Sequence, residues 1–227
     1  MVAEHMAKAF DEEITQLRGL IAEMGGLAEL AISESMEALV KGSQSLADSV
    51  IARDLRIDAL EQDVDRLAIQ IIALRAPMAD DLREVIASLK IAGILERIGD
   101  YAKNIAKRSG KIDGREAFEP LTLIPAMSEI AEEMVHDVLT AYAARDSALA
   151  QEVMERDAKV DGFYDSIFRN LVSFMVERPA TITTAAQLLF VARNLERIGD
   201  HATNVAEQVY FAATGDYLGD RAERPEN

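Results

Sequence analysis

This chain of 227 residues has no cysteine and no tryptophan, only 5 prolines, and aromatic side chains at just 5% of positions. Without thiols there are no disulfides, no thiolate nucleophile and no cysteine-built zinc site. Scarce proline and 12 glycines leave helix formers dominant, and no useful stretch alternates with the period of two that a half-buried strand requires. Long apolar runs are missing too: none approaches the ~20 residues that a membrane span needs. The opening residues, MVAEHMAKAFDEE, lack the basic-then-apolar layout of a secretory signal, so a cytoplasmic protein is expected. Positive charge is also short. Lys and Arg number 24 against 40 Asp and Glu, a formal charge of −16. Such a surface repels phosphate backbones and anionic headgroups, which argues against nucleic acid and direct membrane insertion and favours cations and basic protein surfaces. A glycine-rich phosphate loop with its lysine is lacking, and no nucleophile–base–acid set is visible, so no catalysis is expected.

What the chain does have is apolar residues at spacings of three and four. Phe10, Ile14, Leu17, Ile21, Met24, Ala28 and Ala31 predict a first helix over about residues 5–42, stopped by Gly42 with Ser43 and Ser45 as cap. Gly25-Gly26 inside it reads as a close packing contact or a kink. A second seam runs from Ile57 to Leu74 and stops at Pro77, and a third from Leu82 to Ile105 closes near Gly110. The polar segment 109–120 reads as a linker, after which the pattern restarts in a fourth helix, a fifth ending near Pro179 and a sixth reaching about Ala213. The expected fold is therefore all-α, two tandem three-helix bundles related by internal duplication. Residues 1–110 form the first bundle, 111–120 the linker, 121–214 the second bundle and 215–227 a tail.

The duplication is plainest in LERIGDYAKNIA at 95–106 and LERIGDHATNVA at 195–206. Each copy sets Glu, Asp and Asn four residues apart: Glu96, Asp100 and Asn104, then Glu196, Asp200 and Asn204. On a helix that spacing stacks three oxygen donors on one side, roughly opposite the apolar sector of Leu95, Ile98, Ala102 and Ile105. Acids one turn apart repel by roughly 0.2–0.5 kcal/mol unless something neutralises them. Lys103 and Lys107 could do so in the first copy, but Thr203 and Glu207 stand there in the second, where Arg193 remains one turn ahead of Glu196. A solvated acidic face is the plain reading; a bound cation explains both copies with the same residues. An all-oxygen set suits Mg²⁺, Mn²⁺ or iron better than copper or structural zinc.

If the second and third helices fold back at Pro77, Asp58 falls level with Glu96 and Asp54 with Asp100. Folding the fifth and sixth at Pro179 brings Asp161 beside Arg197 and Asp157 beside His201, each one residue from the motif acids. These four aspartates are additional metal candidates. His201 has Tyr101 as its counterpart and reads as a surface imidazole. Arg83, with Thr183 as its counterpart, reads as pairing with a neighbouring acid.

The repeated LERIGDxAxNxA, with ADDLR at 79–83 and RDxxID at 53–58, resembles the PhoU family of phosphate-regulon regulators over nearly the whole chain. The resemblance implies an α-helical, commonly oligomeric protein, here a homodimer. It implies metal ions held by an (E/D)xxxD motif in each repeat, which corresponds to Glu96/Asp100 and Glu196/Asp200. It further implies a cytoplasmic regulator, peripheral at the membrane through its partners, the Pst phosphate transporter and the sensor histidine kinase of the phosphate regulon. Such a regulator restrains phosphate-starvation signalling and limits uptake. The second copy lacks an equivalent of Asp81-Leu82-Arg83, reading Thr181-Ile182-Thr183. A different reading is a carboxylate-bridged metalloenzyme of the ferritin-like class, which needs an inward Glu-x-x-His in each half; Glu133 and His136 supply the one such spacing.

Overall fold

The computed structural model describes residues 2–112 and 122–217, with side chains from residue 8 onward. Six helices account for nearly all of it: α1 (Val2–Lys41), α2 (Gln44–Arg75), α3 (Asp80–Ser109), α4 (Leu123–Ala144), α5 (Ser147–Glu177) and α6 (Ile182–Thr214). A single 3-10 turn, Pro179–Thr181, links the last two. Most of the expected linker and tail lies outside the described residues.

Local chemistry sets the breaks. Gly42 takes a positive φ of 66° that ends α1, and the Ser43 hydroxyl accepts from the Leu46 amide to start α2. Ala76 adopts the left-handed conformation before Pro77, which cannot continue a helix. Asp146 caps α5 by accepting from the amides of Ala148 and Leu149 at 2.9 and 3.1 Å.

The helices pack as two antiparallel trios, α1–α3 and α4–α6, joined mainly by α3 against α6 and to a lesser extent by α1 against α4. The apolar stripes read from the sequence are buried: Leu17, Ile21, Met24, Ile57, Leu60, Ile71, Leu95, Ile98 and Ile105 are all among the fully enclosed side chains. Gly25 is a packing contact and not a kink. A Cβ there would meet the Leu139 side chain of α4 at 2.5 Å, while α1 continues unbroken.

Polar clasps hold the trios together. Buried Glu84 on α3 accepts from Arg18 Nε of α1 at 2.5 Å and is paired with Arg145, at the end of α4. Beside it Ser88 and Tyr142 share a buried 2.7 Å hydrogen bond. At one end of the α3–α6 contact Arg108 donates to Gln187 and covers the Phe190 ring; at the other, Arg83 packs on Gly215 at the end of α6. The two motif helices therefore run antiparallel, with their motifs meeting at mid-length.

Candidate metal seams on the motif helices

Each motif faces a sister helix more than solvent. Gly99, inside the first LERIGD, lies against Ile57 and Asp54 of α2; a Cβ there would meet Ile57 Cδ1 at 2.8 Å and Asp54 Oδ1 at 3.5 Å. Gly199 stands in the same relation to Val160 and Asp157 of α5, at 3.2 and 3.4 Å. Glycine lets the two backbones approach closely, and that approach carries the α2 and α5 aspartates up to the motif acids. The repeated glycine was legible in the sequence, whereas its role needed the packing partner.

In the first seam Asp54 is buried, 5% exposed, and Asp58, Glu96, Asp100 and Asn104 are half-buried. The sequence did not single out Glu61, which joins them from α2. Burial, and then the charges of Asp100, Glu61 and Asp58, raise the proton affinity of Glu96. Asp58 is raised by burial and by Asp54 and Asp100. Glu61 is raised by burial and by Asp65 and Asp58. Asp58, Glu61 and Glu96 are therefore partly desolvated rather than freely solvated. One cation is already present: Lys103 sends its ammonium between Asp54 and Asp100 and bonds both. Burial opposes its charge, yet the hydrogen bonds it donates to Asp100 and Asp54 raise its proton affinity.

The second seam repeats the acids without that ammonium. Asp157 is pushed up to about 6 by burial and then by Asp161, Asp200 and Glu196. Its Oδ1 is buried and has no hydrogen-bond partner, and neither has the hydroxyl of Thr203, the residue that replaces Lys103. Arg193 pairs with Glu196 and partly offsets a rise caused first by burial. Asp161 and Asp200 are exposed at the rim.

One asparagine parts company with this grouping. Asn204 lines a cleft of about 550 Å³ between α3 and α6 together with Glu61 and Glu96 of the other copy, so it turns away from the carboxylates of its own motif. The helix explains this: eight residues rotate a side chain by about 80° from the starting direction. His201 is also not a surface imidazole. It is half-buried, meets Tyr101 edge-on at 5.1 Å and donates from Nδ1 to the Arg197 carbonyl at 2.8 Å; burial lowers its proton affinity. Arg197 lies over Tyr101, so the 97/101 and 197/201 pairs meet across an internal pseudo-two-fold. Arg83 does pair with Asp80, as expected. Glu133 and His136 point outward, His136 toward Glu29 at 3.1 Å, away from any bundle core where a di-iron site would be built.

The donor set of each seam suits a hard cation. Two buried oxygens in the second lack partners. As the side chains stand, though, no three carboxylates or imidazoles among the described residues converge closely enough to enclose an ion. Holding one would take rotation of exposed Asp161 and Asp200 toward Asp157 and Glu196.

Known proteins with this arrangement give the chain its family. The model of the PhoU domain matches twice, at residues 21–109 and 124–209, one match per trio. A phosphate-specific transport system accessory protein PhoU homolog from Zymomonas mobilis is 52% identical, covering 96% of this chain and 92% of its own length. The homolog of the same name from Rhizobium meliloti is 44% identical over 98% of this chain and 94% of its own. Among solved structures, PhoU from Pseudomonas aeruginosa superposes with a TM-score of 0.87 at 34% identity, covering 91% of this chain and all of that one. The phosphate transport system regulatory protein PhoU from Streptococcus pneumoniae, at 24% identity, shares the fold with a TM-score of 0.86 over 92% of this chain and 99% of its own. On the twice-matched domain and the near full-length identity, this chain belongs to the PhoU family.

Proposed function

We propose that this protein is a metal-binding, non-catalytic adaptor of phosphate homeostasis. It acts with the Pst phosphate transporter and restrains the sensor histidine kinase of phosphate-starvation signalling. Kinship to accessory proteins of the phosphate-specific transport system supports the physiological setting. No helix of the described residues is long and apolar enough to cross a membrane, which is consistent with reaching the transporter through protein contacts.

One observation carries the metal reading. Where the first seam has the Lys103 ammonium between two aspartates, the second has an unpartnered Asp157 oxygen and an unpartnered Thr203 hydroxyl. Buried oxygens without donors cost on the order of 1–3 kcal/mol each. A cation bound there would neutralise the seam and satisfy both. The two copies are therefore unequal: Asp157, Asp161, Glu196 and Asp200 form the stronger site for Mg²⁺, Mn²⁺ or ferrous iron. Lys103 competes for Asp54 and Asp100 in the first, leaving Asp58, Glu61 and Glu96 the more available donors.

The regulatory role is tested in cells lacking this chain that carry a phosphate-starvation reporter. Wild-type protein is expected to silence the reporter in phosphate-rich medium, and Asp157→Asn with Asp200→Asn to leave it on at equal protein level. Full silencing by the double variant would separate regulation from the second seam.

A further inference from the structure

Helix α1 has a second face, turned away from its buried stripe. Gly19, Ala22, Gly26, Leu30 and Ser33 follow one another at steps of three or four, and all are exposed. Val40 lies two such steps further on; it is 54% exposed and Leu30 42%. This face borders a groove against α4, where Leu139 seats on Gly25. Three adjoining hollows of about 610, 490 and 330 Å³ make up the groove. The first two share Gly26, Glu29 and His136, and the first and third share Ser33 and Glu132. From Gly19 to Val40 it follows α1 for about 30 Å. Its glycines have no use within the chain. Gly19 and Gly26 stand inside a long helix, where glycine is less stable than alanine. Yet an added Cβ would meet nothing within 4 Å at either, in contrast to Gly25. Bare backbone along a groove lets another backbone approach closely.

Charge and shape narrow the occupant. The acids Glu29, Glu37, Glu129, Glu132, Glu133 and Asp137 line the groove, against only Arg18 and Lys41. Both bases are already engaged, Arg18 with Glu84 and Lys41 with Glu37. Asp137 has Arg156 and Glu29 has His136, whereas Glu129, Glu132 and Glu133 form no ion pair among the described residues. Burial raises the proton affinity of Glu132 against the Ser128 hydrogen bond, and the charges of Glu129 and Glu29 add to the rise. A basic surface would relieve that crowding; a second copy of so acidic a chain would worsen it. An extended peptide would find no free main-chain groups between two helices, but a helix satisfies its own. Amphipathic helices laid into grooves are a recurrent mode of recognition.

We propose that the α1–α4 groove receives a basic amphipathic helix of a partner protein. Its apolar side lies on Gly19, Gly26 and Leu30, and its Lys and Arg side chains meet Glu129 and Glu133. The proposal gives the adaptor reading a docking surface and rests on that reading for its setting. Fluorescence anisotropy with the purified full chain tests it apart from the phosphate-starvation reporter, so the two can fail separately. The probe is a labelled Leu/Lys peptide of about five helical turns, leucines at helical spacing. Its companions are the same composition scrambled and the same pattern with Glu for Lys. Wild type should bind the Leu/Lys helix at least about tenfold tighter than the scrambled peptide and leave the Leu/Glu helix unbound. Gly19→Leu with Gly26→Leu should keep helicity and melting temperature but weaken binding at least about tenfold. Gly162→Leu, equally open but on α5, should leave binding unchanged. Glu129→Lys with Glu133→Lys should also weaken it about tenfold. Asp165→Lys with Glu177→Lys, an equal change of charge on exposed positions of α5, should weaken it by less than about twofold. This charge comparison decides the matter if the glycine variants do not fold. Equal binding of the helical and scrambled peptides, or full binding by a folded Gly19→Leu/Gly26→Leu protein, would overturn the proposal. So would a self-associated wild type that those leucines dissociate, which would give the groove to a second copy.

Discussion

At the scale of single residues, the protein turns on what neutralises a buried aspartate. Asp54 has a lysine; Asp157 has nothing. The proton affinity of Asp157 lies above its ordinary value, at about 6 compared with 3.8, so ionisation favours the unfolded chain. Its folded state is therefore fully favoured below the unfolded value and loses stability as pH rises through the folded one. Metal-free protein is expected to lose thermal stability between about pH 4 and pH 6. Asp157→Asn should flatten that loss, gaining about 1 kcal/mol at pH 8 after allowance for partial solvent screening. Melting curves in chelator across this range decide the matter. A variant with the same pH slope as wild type would remove Asp157 from the account. With manganese added the order should reverse, because only wild type gains from the ion.

At the scale of helices, the glycines divide by what faces them. Gly→Ala within a helix gains about 0.8–1 kcal/mol of propensity where there is room, whereas overpacking costs about 1–3 kcal/mol. Gly19 has nothing within 4 Å, so Gly19→Ala should stabilise by about 0.5–1 kcal/mol. Gly99 faces a buried isoleucine at 2.8 Å, so Gly99→Ala should destabilise by about 1 kcal/mol and push α2 from α3. Denaturant titration distinguishes them; equal stabilisation by both would mean that the α2–α3 approach is not fixed by Gly99. The helices were largely legible beforehand, because spacing within one helix fixes its buried face. Folding the chain back at Pro77 and Pro179 also brought the right aspartates to the right acids. Asn204 escaped, since eight residues of helical drift moved it onto the α3–α6 cleft. Glu61 escaped because the second copy has Tyr164 in its place, so no repetition marked it.

At the scale of the whole molecule, the joining of the trios was not legible. Helical period says nothing about which helix of one bundle meets which of the other. His201 read as a surface residue only because α3 was not known to lie across it. The clasp around Glu84 was invisible for the same reason: Arg18, Glu84 and Arg145 are far apart in sequence and come from three helices' ends and faces. Glu84→Gln would leave two arginines around a buried amide. It should destabilise by about 2 kcal/mol, less than a fully enclosed pair because both arginines reach solvent. Glu84→Gln with Arg145→Gln should recover part of the loss, which calorimetry can read as a coupling energy. Strict additivity would mean that Arg145 does not belong to the clasp.

The central claim is that the two seams hold cations unequally. Its most direct test is elemental analysis of tag-free protein loaded with manganese and desalted, in wild type, Asp157→Asn/Asp200→Asn, Glu96→Ala/Asp100→Ala and Lys103→Thr. We expect at least about one ion per chain in wild type and near-complete loss from the first variant. The second variant should lose half the metal at most, and Lys103→Thr should gain some. Manganese absent from wild type, or unchanged by removing Asp157 and Asp200, would contradict it.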